Sequence, residues 1–310
     1  MSTIVVTGAD GFVGRHVIQA ARRAGHSVWG ITRREFAHDD EILNDLERLA
    51  VADLRTEWPA DFFGDAVVHL AGLSTVGASF ARPQDYIDGN SAMVTTMCEA
   101  HLASGAPARI VGVSSGSVYG SSSRPLVESS PTKPTSPYVV SKLLVETQLE
   151  YYRIRGLRTS VARPFNHVGP GQRRGFLIPD LTARVRALAP GETLVAGDLS
   201  ARRDYTDVRD VADAYIRLCV VDEPPALVNV ASGQSRSGLD ILELVCEALD
   251  REMPEVTTDP ALLRPSEIRE VTGDASLLRT LGWETTIPLR RSIAEFVADS
   301  VDAAETPSRD

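Results

Sequence analysis

The sequence lacks long hydrophobic runs and is poor in cysteine. None of its apolar stretches approaches the roughly 20 residues that a membrane-spanning helix needs, so no membrane segment is expected. Its cysteines, Cys98, Cys219 and Cys246, are odd in number and far apart, which argues against a disulfide framework and against a zinc site. No basic leader-like segment precedes the first apolar stretch, and we therefore expect a cytoplasmic protein.

Positive charge is also in short supply. The 310 residues include 32 lysines and arginines against 42 aspartates and glutamates, which gives a net charge of −10. This balance argues against non-specific binding of nucleic acid. An anionic ligand must then be held by locally placed arginines and backbone amides, and no metal site is predicted.

Short apolar runs alternate with longer amphipathic segments through the first two-thirds of the chain. Runs of this kind, separated by helices, are typical of strands buried on both faces of a parallel sheet. The pattern predicts an α/β fold with a Rossmann doubly wound parallel sheet. The predicted strands lie at residues 4–7, 27–31, 49–52, 66–70, 109–113, 159–163 and 226–230.

The pattern changes after Pro164, where Gly, Pro and Arg become frequent. We expect residues 1–165, rejoined by approximately 207–232, to form the dinucleotide-binding domain. Residues 166–206 and 233–301 are expected to form a smaller C-terminal α+β lobe, which binds substrate over the carboxyl edge of the strands. The polar tail at 302–310 is expected to be disordered.

A glycine-rich segment, TGADGFVG at residues 7–14, directly follows the first predicted strand and opens a helix. Glycines at this spacing allow a sharp turn, let backbone amides approach a pyrophosphate, and bring the helix close to the sheet. A purely structural turn is the alternative, but strand, loop and helix follow in the order that a dinucleotide site requires. The predicted cofactor contacts in this loop are Gly8, Asp10, Gly11, Phe12 and Val13.

The end of the second strand distinguishes an NAD site from an NADP site. NAD sites usually place a carboxylate there for the ribose 2′-hydroxyl, whereas this chain has Arg33 and Arg34, which suit a 2′-phosphate. NADP(H) is therefore favoured and NAD(H) remains possible, and the alternative for the arginines is a solvated basic turn. Asp53 could accept a hydrogen bond from the adenine amino group or cap a local turn. The remaining predicted cofactor contacts are Leu54, Leu70, Ala71 and Gly72.

A candidate catalytic set follows the fifth strand. Ser115 lies in the segment SSGSVYG at residues 114–120, and Tyr138 and Lys142 lie four residues apart at the start of a predicted helix, on one face of it. A cation beside a phenol lowers the phenol's pKa, so Tyr138 could pass a proton to a carbonyl oxygen that Ser115 orients. Ser117 is a possible second donor. Tyr138 and Lys142 would also contact the cofactor, and a surface pair is the alternative reading of their spacing.

These motifs resemble the extended short-chain dehydrogenase/reductase superfamily, in its NAD(P)-dependent epimerase/dehydratase group. The resemblance covers nearly the whole chain, and within the group it is strongest to GDP-4-keto-6-deoxymannose reductases and to GDP-mannose 4,6-dehydratases. It implies a nucleotide-sugar substrate, favours a GDP-linked one, and places a nucleoside diphosphate against part of the C-terminal lobe. For Asn166, Arg203, Arg264 and Glu267, the alternative is a salt bridge across the lobes. The implied substrate residues are Ser115, Ser117, Asn166, Gln172, Arg203, Arg264 and Glu267.

One departure from the family pattern bears on the reaction. Related 4,6-dehydratases carry acidic residues where this chain has Gly116 and Ser117, and the elimination of water needs those carboxyl groups. Dehydratase activity is therefore disfavoured. The resemblance implies NADPH-dependent reduction of a nucleotide-linked 4-keto-6-deoxysugar, with an NAD-dependent 4-epimerase as the alternative and a catalytically silent dinucleotide sensor as a third reading. A homodimer is expected, since two-fold dimers are the commonest oligomers.

Overall fold

The structure is a computed structural model that describes residues 1–36, 40–260 and 269–302. Two predicted substrate residues, Arg264 and Glu267, lie outside the described residues, as does the predicted tail beyond residue 302. In chain order the strands are β1 (Thr3–Thr7), β2 (Ser27–Thr32), β3 (Arg48–Val51), β4 (Ala66–His69), β5 (Arg109–Val113), β6 (Arg158–Pro164), β7 (Asn166–Val168), β8 (Leu194–Ala196), β9 (Arg202–Asp207), β10 (Leu227–Val230), β11 (Ser235–Ser237), β12 (Val256–Thr258) and β13 (Glu270–Val271). The helices are α1 (Phe12–Arg23), α2 (Val76–Ala81), α3 (Pro83–Ser104), α4 (Pro137–Ile154), α5 (Leu177–Ala187), α6 (Val208–Val220), α7 (Gly238–Ala248), α8 (Ser276–Arg279) and α9 (Leu289–Asp302).

Seven strands form one parallel sheet in the order β10-β6-β5-β4-β1-β2-β3. The chain reverses its direction of travel between β1 and β4, which are neighbours in the sheet although β2 and β3 separate them in sequence. In open α/β sheets the crevice at such a reversal, at the carboxyl ends of the strands, is where ligands bind. The predicted Rossmann-type α/β fold is thereby confirmed.

The alternation of side chains along each strand explains why helices cover both faces of the sheet. Ile4 and Val6 of β1 belong to a buried cluster that includes residues of α1 and α6. Val5 points to the opposite face, where it joins a cluster built with residues of α3 and α4. Each of these three side chains is fully buried, which contributes roughly 1.5–3 kcal/mol per side chain to folding.

The smaller lobe is arranged around β9. This strand pairs with β7 and β13 in parallel and with β11 in antiparallel orientation, while β8 and β12 form a separate parallel pair. A third buried cluster, with residues of α5, α7 and α9, forms the core beneath them. Strand β10 returns to the central sheet beside β6. The domain division at residues 165, 207 and 232 stays a prediction.

Helix α4, which carries Tyr138 and Lys142, has a clear start signal. The Ser136 side chain accepts a hydrogen bond from the Val139 amide at 3.2 Å, and Pro137 occupies the first helical position, where its missing N–H is not needed. Among the described helices, none combines the length and the apolar character that crossing a membrane would require.

Candidate active site

The glycine loop is packed so closely that position 14 has no room for a side chain. Gly8 has a φ of +65°, a left-handed conformation that favours glycine, and its carbonyl accepts from the Gly11 amide at 2.9 Å. A Cβ added to Gly14 would lie 2.2 Å from the Gly8 oxygen. Because the N-cap residue Gly11 supplies no side-chain cap, the first amides of α1 stay available to an anion. This is a cradle of the kind that a dinucleotide pyrophosphate fits.

The ends of β1 and β4 are joined by a small buried network. The Thr7 hydroxyl oxygen accepts from the amides of Leu70 and Ala71 at 3.1 and 3.0 Å, and it is hydrogen-bonded to His69 Nδ1 at 3.0 Å. Burial lowers the pKa of His69 to about 3, with the nearby Lys142 acting in the same direction. The imidazole is therefore neutral. Thr7 and His69 hold residues 70–72 beside the glycine loop, a role that sequence reasoning missed.

Arg33 and Arg34 follow β2 directly and are exposed at the edge of the cleft. Asp53, beyond β3, accepts hydrogen bonds from the Arg55 amide at 3.1 Å and from the Arg55 guanidinium, so it caps a local turn. Those Arg55 contacts lower the pKa of Asp53 to about 2, and the charge of Arg33 contributes. Its neighbour Leu54 is buried. The local-turn alternative thus describes Asp53 in this structure, and its contact with adenine stays a prediction.

Ser115 and Tyr138 meet at the carboxyl edge of β5. Ser115 Oγ accepts from the Ser117 amide at 3.1 Å and begins a short 3₁₀ turn, Gly116–Val118. The side chains of Ser115 and Tyr138 are both buried. Burial raises the pKa of Tyr138, although the Ser115 side chain acts the other way.

Lys142 lies one helical turn beyond Tyr138. Its ammonium donates to the Val113 carbonyl at 2.9 Å and lies 5.9 Å from the centre of the Tyr138 ring. Burial lowers the pKa of Lys142 to about 8, while Glu146 opposes that shift. The pKa of Tyr138 is raised rather than lowered as expected, because desolvation of the phenol is the largest influence on it.

Asn90 is a further residue that sequence reasoning missed. From the middle of α3 its amide nitrogen donates to Ser141 Oγ at 2.9 Å, and its amide oxygen accepts from the Leu73 amide at 2.8 Å. It thereby ties the residues after β4 to the helix that carries the candidate catalytic pair. No local motif marks Asn90, since it lies inside an otherwise ordinary helical segment.

A small cavity of about 40 Å³ lies beside Gly116 and Ser117, the residues that follow Ser115. It brings together three of the predicted substrate residues, Ser117, Asn166 and Arg203. Gln172 does not line it, because its side-chain amide donates to the His167 carbonyl at 3.0 Å. The lining residues are Gly116, Ser117, Phe165, Asn166, Arg203, Asp204 and Val271.

The Phe165 ring fills the space beside Gly116. A Cβ built on Gly116 would lie 2.9 Å from ring atoms of Phe165, and one built on Gly273 would lie 2.6 Å from the same ring. Phe165 is itself buried and stacks on Tyr119, with the two ring centres 6.1 Å apart. A carboxylate-bearing side chain at position 116 would therefore require this packed ring to move.

Among the described residues, no group of three or more His, Cys, Asp or Glu side chains is placed to hold a metal ion.

The chain is similar in sequence and in fold to several known proteins. GDP-6-deoxy-D-mannose reductase of Pseudomonas aeruginosa is 35% identical over 304 residues, which cover 96% of each chain. The structure of RMD from Pseudomonas aeruginosa complexed with NADPH superposes with a TM-score of 0.83 at 31% identity, over 98% of this chain and 100% of that one. UDP-glucose 4-epimerase of Thermus thermophilus in complex with NAD superposes with a TM-score of 0.83 at 25% identity, over 97% and 99%. The sequence model of the NAD dependent epimerase/dehydratase family matches residues 4–231, and the chain belongs to that family.

Proposed function

We propose that the protein reduces the keto group of a nucleotide-linked 4-keto-6-deoxysugar, with NADPH as reductant and a GDP-linked sugar as substrate. The glycine loop would hold the pyrophosphate, and the bound dinucleotide supplies the hydride. Tyr138 donates a proton to the carbonyl oxygen as that oxygen gains charge. Ser115 orients the oxygen, and the ammonium of Lys142 stabilises the phenolate left on Tyr138.

The observation that carries the proposal is that neither of the two residues following Ser115 has a carboxyl group. The two residues that follow it are Gly116 and Ser117, and the Phe165 ring occupies the space that a side chain at position 116 would need. Removal of a sugar hydroxyl as water requires an acid and a base, which glycine and serine do not provide. Reduction needs only the three polar side chains and the cofactor.

Arg33 and Arg34 support NADPH as the cofactor, because each offers a planar fork of donors that suits a phosphate. They follow β2, where the ribose of a dinucleotide lies in Rossmann folds. The likeness to RMD from Pseudomonas aeruginosa, solved in complex with NADPH, supports the same choice. Gly8, Gly11 and the residues at 70–72 are the proposed contacts to the rest of the cofactor, and the homodimer and the cytoplasmic location stay predictions.

Substrate tests separate the candidate reactions. Given GDP-mannose alone, the purified protein should form no 4-keto-6-deoxy product. Given GDP-4-keto-6-deoxymannose and NADPH, it should oxidise one NADPH for each sugar reduced. The loss of absorbance by the reduced nicotinamide measures the NADPH, and chromatography of the sugar nucleotide measures the product.

A 4-epimerase is the second candidate, and the likeness to UDP-glucose 4-epimerase in complex with NAD favours it. An epimerase interconverts hydroxy-sugars without net consumption of cofactor. If the protein interconverts UDP-glucose and UDP-galactose and leaves NADPH untouched with the 4-keto sugar, the reductase proposal is wrong and the epimerase takes its place.

A further inference from the structure

Glu146 and Arg163 form a buried ion pair behind the candidate catalytic residues. Arg163 of β6 donates from Nε to Oε1 of Glu146 at 2.8 Å and from a terminal nitrogen to Oε2 at 2.6 Å. The Ser114 hydroxyl donates to the same Oε1 at 2.5 Å. The side chains are only 5% and 13% exposed, so water screens the pair weakly.

The arginine is fixed from its other side as well. Its guanidinium carbon lies 4.6 Å from the centre of the Tyr119 ring, and a guanidinium nitrogen donates to the Glu128 carbonyl at 3.2 Å. The Tyr119 hydroxyl in turn donates to Asn229 at 2.7 Å. A buried ion pair by itself contributes little net stability, because desolvation of both charges opposes their attraction. Its position relative to the site therefore needs another explanation.

Glu146, the acidic member of the pair, lies one helical turn beyond Lys142. Residues 142 and 146 share a face of α4, as residues four apart on a helix do. On the sheet side the ammonium meets the Val113 carbonyl of β5, and Ser114, the next residue, binds Glu146. Glu146 therefore connects the helix that carries Tyr138 and Lys142 to the end of the strand that precedes Ser115.

The surroundings of Lys142 supply few other charges. His69, at the end of β4, is neutral because burial lowers its pKa to about 3. The Tyr138 phenol stays protonated, since burial raises its pKa, and Tyr86 of α3 acts on that phenol in the same direction. Arg163 pairs with Glu146. Within the described residues, Glu146 is the anion whose charge acts on Lys142.

We infer that Glu146 is a positioning residue for Lys142, holding its ammonium in the charged form and fixing the end of β5, while Arg163 limits the strength of that effect. This inference rests on the proposed function only in taking Lys142 as part of the reaction. Glu146 exchanges no proton with substrate. It keeps a cation beside Tyr138 in a site whose burial favours the neutral amine.

The chain offers an unusually clean measurement, because Lys133 and Lys142 are its only lysines. Protein labelled with ¹³C at the lysine Cε gives two resonances, and Lys133→Arg assigns them. Lys133 is exposed and serves as an internal reference. The wild-type resonance of Lys142 should titrate near pH 8. In Glu146→Gln its midpoint should fall by about one pH unit or more, while that of Lys133 stays unchanged.

Matched variants separate electrostatics from damage to the fold. Glu150→Gln makes the same change one turn further along α4, in an exposed pair with Arg153, and should leave the Lys142 midpoint unchanged. Arg163→Met removes the competing cation and should raise the midpoint. The double variant Glu146→Gln/Arg163→Met leaves no unpaired buried charge and should still lower it. Unchanged midpoints in the Glu146 variants, or shifts of one sign in both single variants, would overturn the inference.

Turnover measured across pH on the same proteins tells this inference apart from the proposed function. The alkaline limit of the 4-keto sugar reduction should move to lower pH in Glu146→Gln, by the same amount as the Lys142 resonance. A shifted resonance with no NADPH-dependent reduction in any variant, wild type included, supports the role of Glu146 and contradicts the proposed function. Normal reduction with an unshifted resonance does the reverse.

Discussion

The two sides of the cleft are held by opposite means. On the dinucleotide side, backbone contacts backbone: Gly8, Gly11 and Gly14 pack with no space for a Cβ at Gly14. On the substrate side, here β9 and the start of α6 with the segments bound to them, buried carboxylates connect the segments. Three aspartates at every third position, Asp204, Asp207 and Asp210, are each at most 2% exposed.

Each aspartate of the substrate side binds a segment that is distant in the sequence. Asp204 accepts from the amides of Ser232, Gly233 and Gly273 at 2.9, 2.9 and 3.1 Å and from the Ser232 hydroxyl at 2.6 Å. Asp207 accepts from the hydroxyl of Ser292 in α9 and from Arg209. Asp210 accepts from the amides of Thr286 and Ile287, both at 3.1 Å.

The two sides should therefore be destabilised by different kinds of substitution. Added volume damages the glycine loop, because close-packed backbone cannot move away. Lost charge damages the substrate side, since a neutral replacement leaves several buried donors poorly paired. Between the two sides lie Ser115, Tyr138 and Lys142, where a substitution should affect chemistry and leave both sides intact.

The largest effect is expected at that junction. Tyr138→Phe keeps the packing of the ring and removes the proton donor, so turnover of the 4-keto sugar should fall by roughly 10²- to 10⁴-fold while dinucleotide binding survives. Steady-state kinetics and a fluorescence titration with NADPH measure the two quantities. Tyr151→Phe, at a 52% exposed position on the same helix, is the control and should leave turnover unchanged. Near-normal turnover in Tyr138→Phe would show that another group supplies the proton.

Asp204→Asn should produce the next largest effect, a loss of roughly 3 kcal/mol in the free energy of unfolding, because its carboxylate accepts four hydrogen bonds in a buried setting. Urea unfolding measures it. Asp213→Asn, on the exposed face of α6, should change stability by no more than about 0.5 kcal/mol. Equal effects from the two substitutions would contradict the view that buried carboxylates hold the substrate side.

Gly14→Ala tests the opposite vulnerability. The added methyl would overlap the Gly8 carbonyl at 2.2 Å, so strain of about 1–3 kcal/mol and weaker dinucleotide binding are expected. Calorimetric titration with NADPH and thermal unfolding report both. Gly77→Ala is the matched control, because a Cβ at Gly77 meets no atom within 4 Å. If both variants bind NADPH like the wild type, the loop is not the cradle that we describe.

The smallest effect concerns the choice of cofactor. Replacing Arg33 and Arg34 with alanine removes two exposed cations, so NADPH should bind roughly tenfold more weakly while NADH, which lacks the 2′-phosphate, is nearly unaffected. Dissociation constants for both cofactors provide the measurement, and Arg82→Ala, also exposed, is the control. Equal loss for the two cofactors, or a wild-type preference for NADH, would count against the NADP assignment.

The main elements of the dinucleotide side could be read from the sequence. Short apolar runs predicted the seven strands of the central sheet to within one residue at every end, and the glycine loop was found at residues 7–14. The signals for these features are local, since a strand, a glycine turn and a helix start each occupy a short window. Asn90 was missed because an isolated polar residue inside a helix has no such window.

Local patterns in the sequence were enough to predict the sheet, the glycine loop and the residue types of the candidate site, because each depends on residues that are neighbours in the chain. Which side chains meet across long stretches of chain could be seen only in the folded protein. Phe165 fills the space beside Gly116, and Arg163 neutralises Glu146, through the order in which strands enter the sheet. Such contacts depend on packing between segments that are remote in the chain, which no local pattern records.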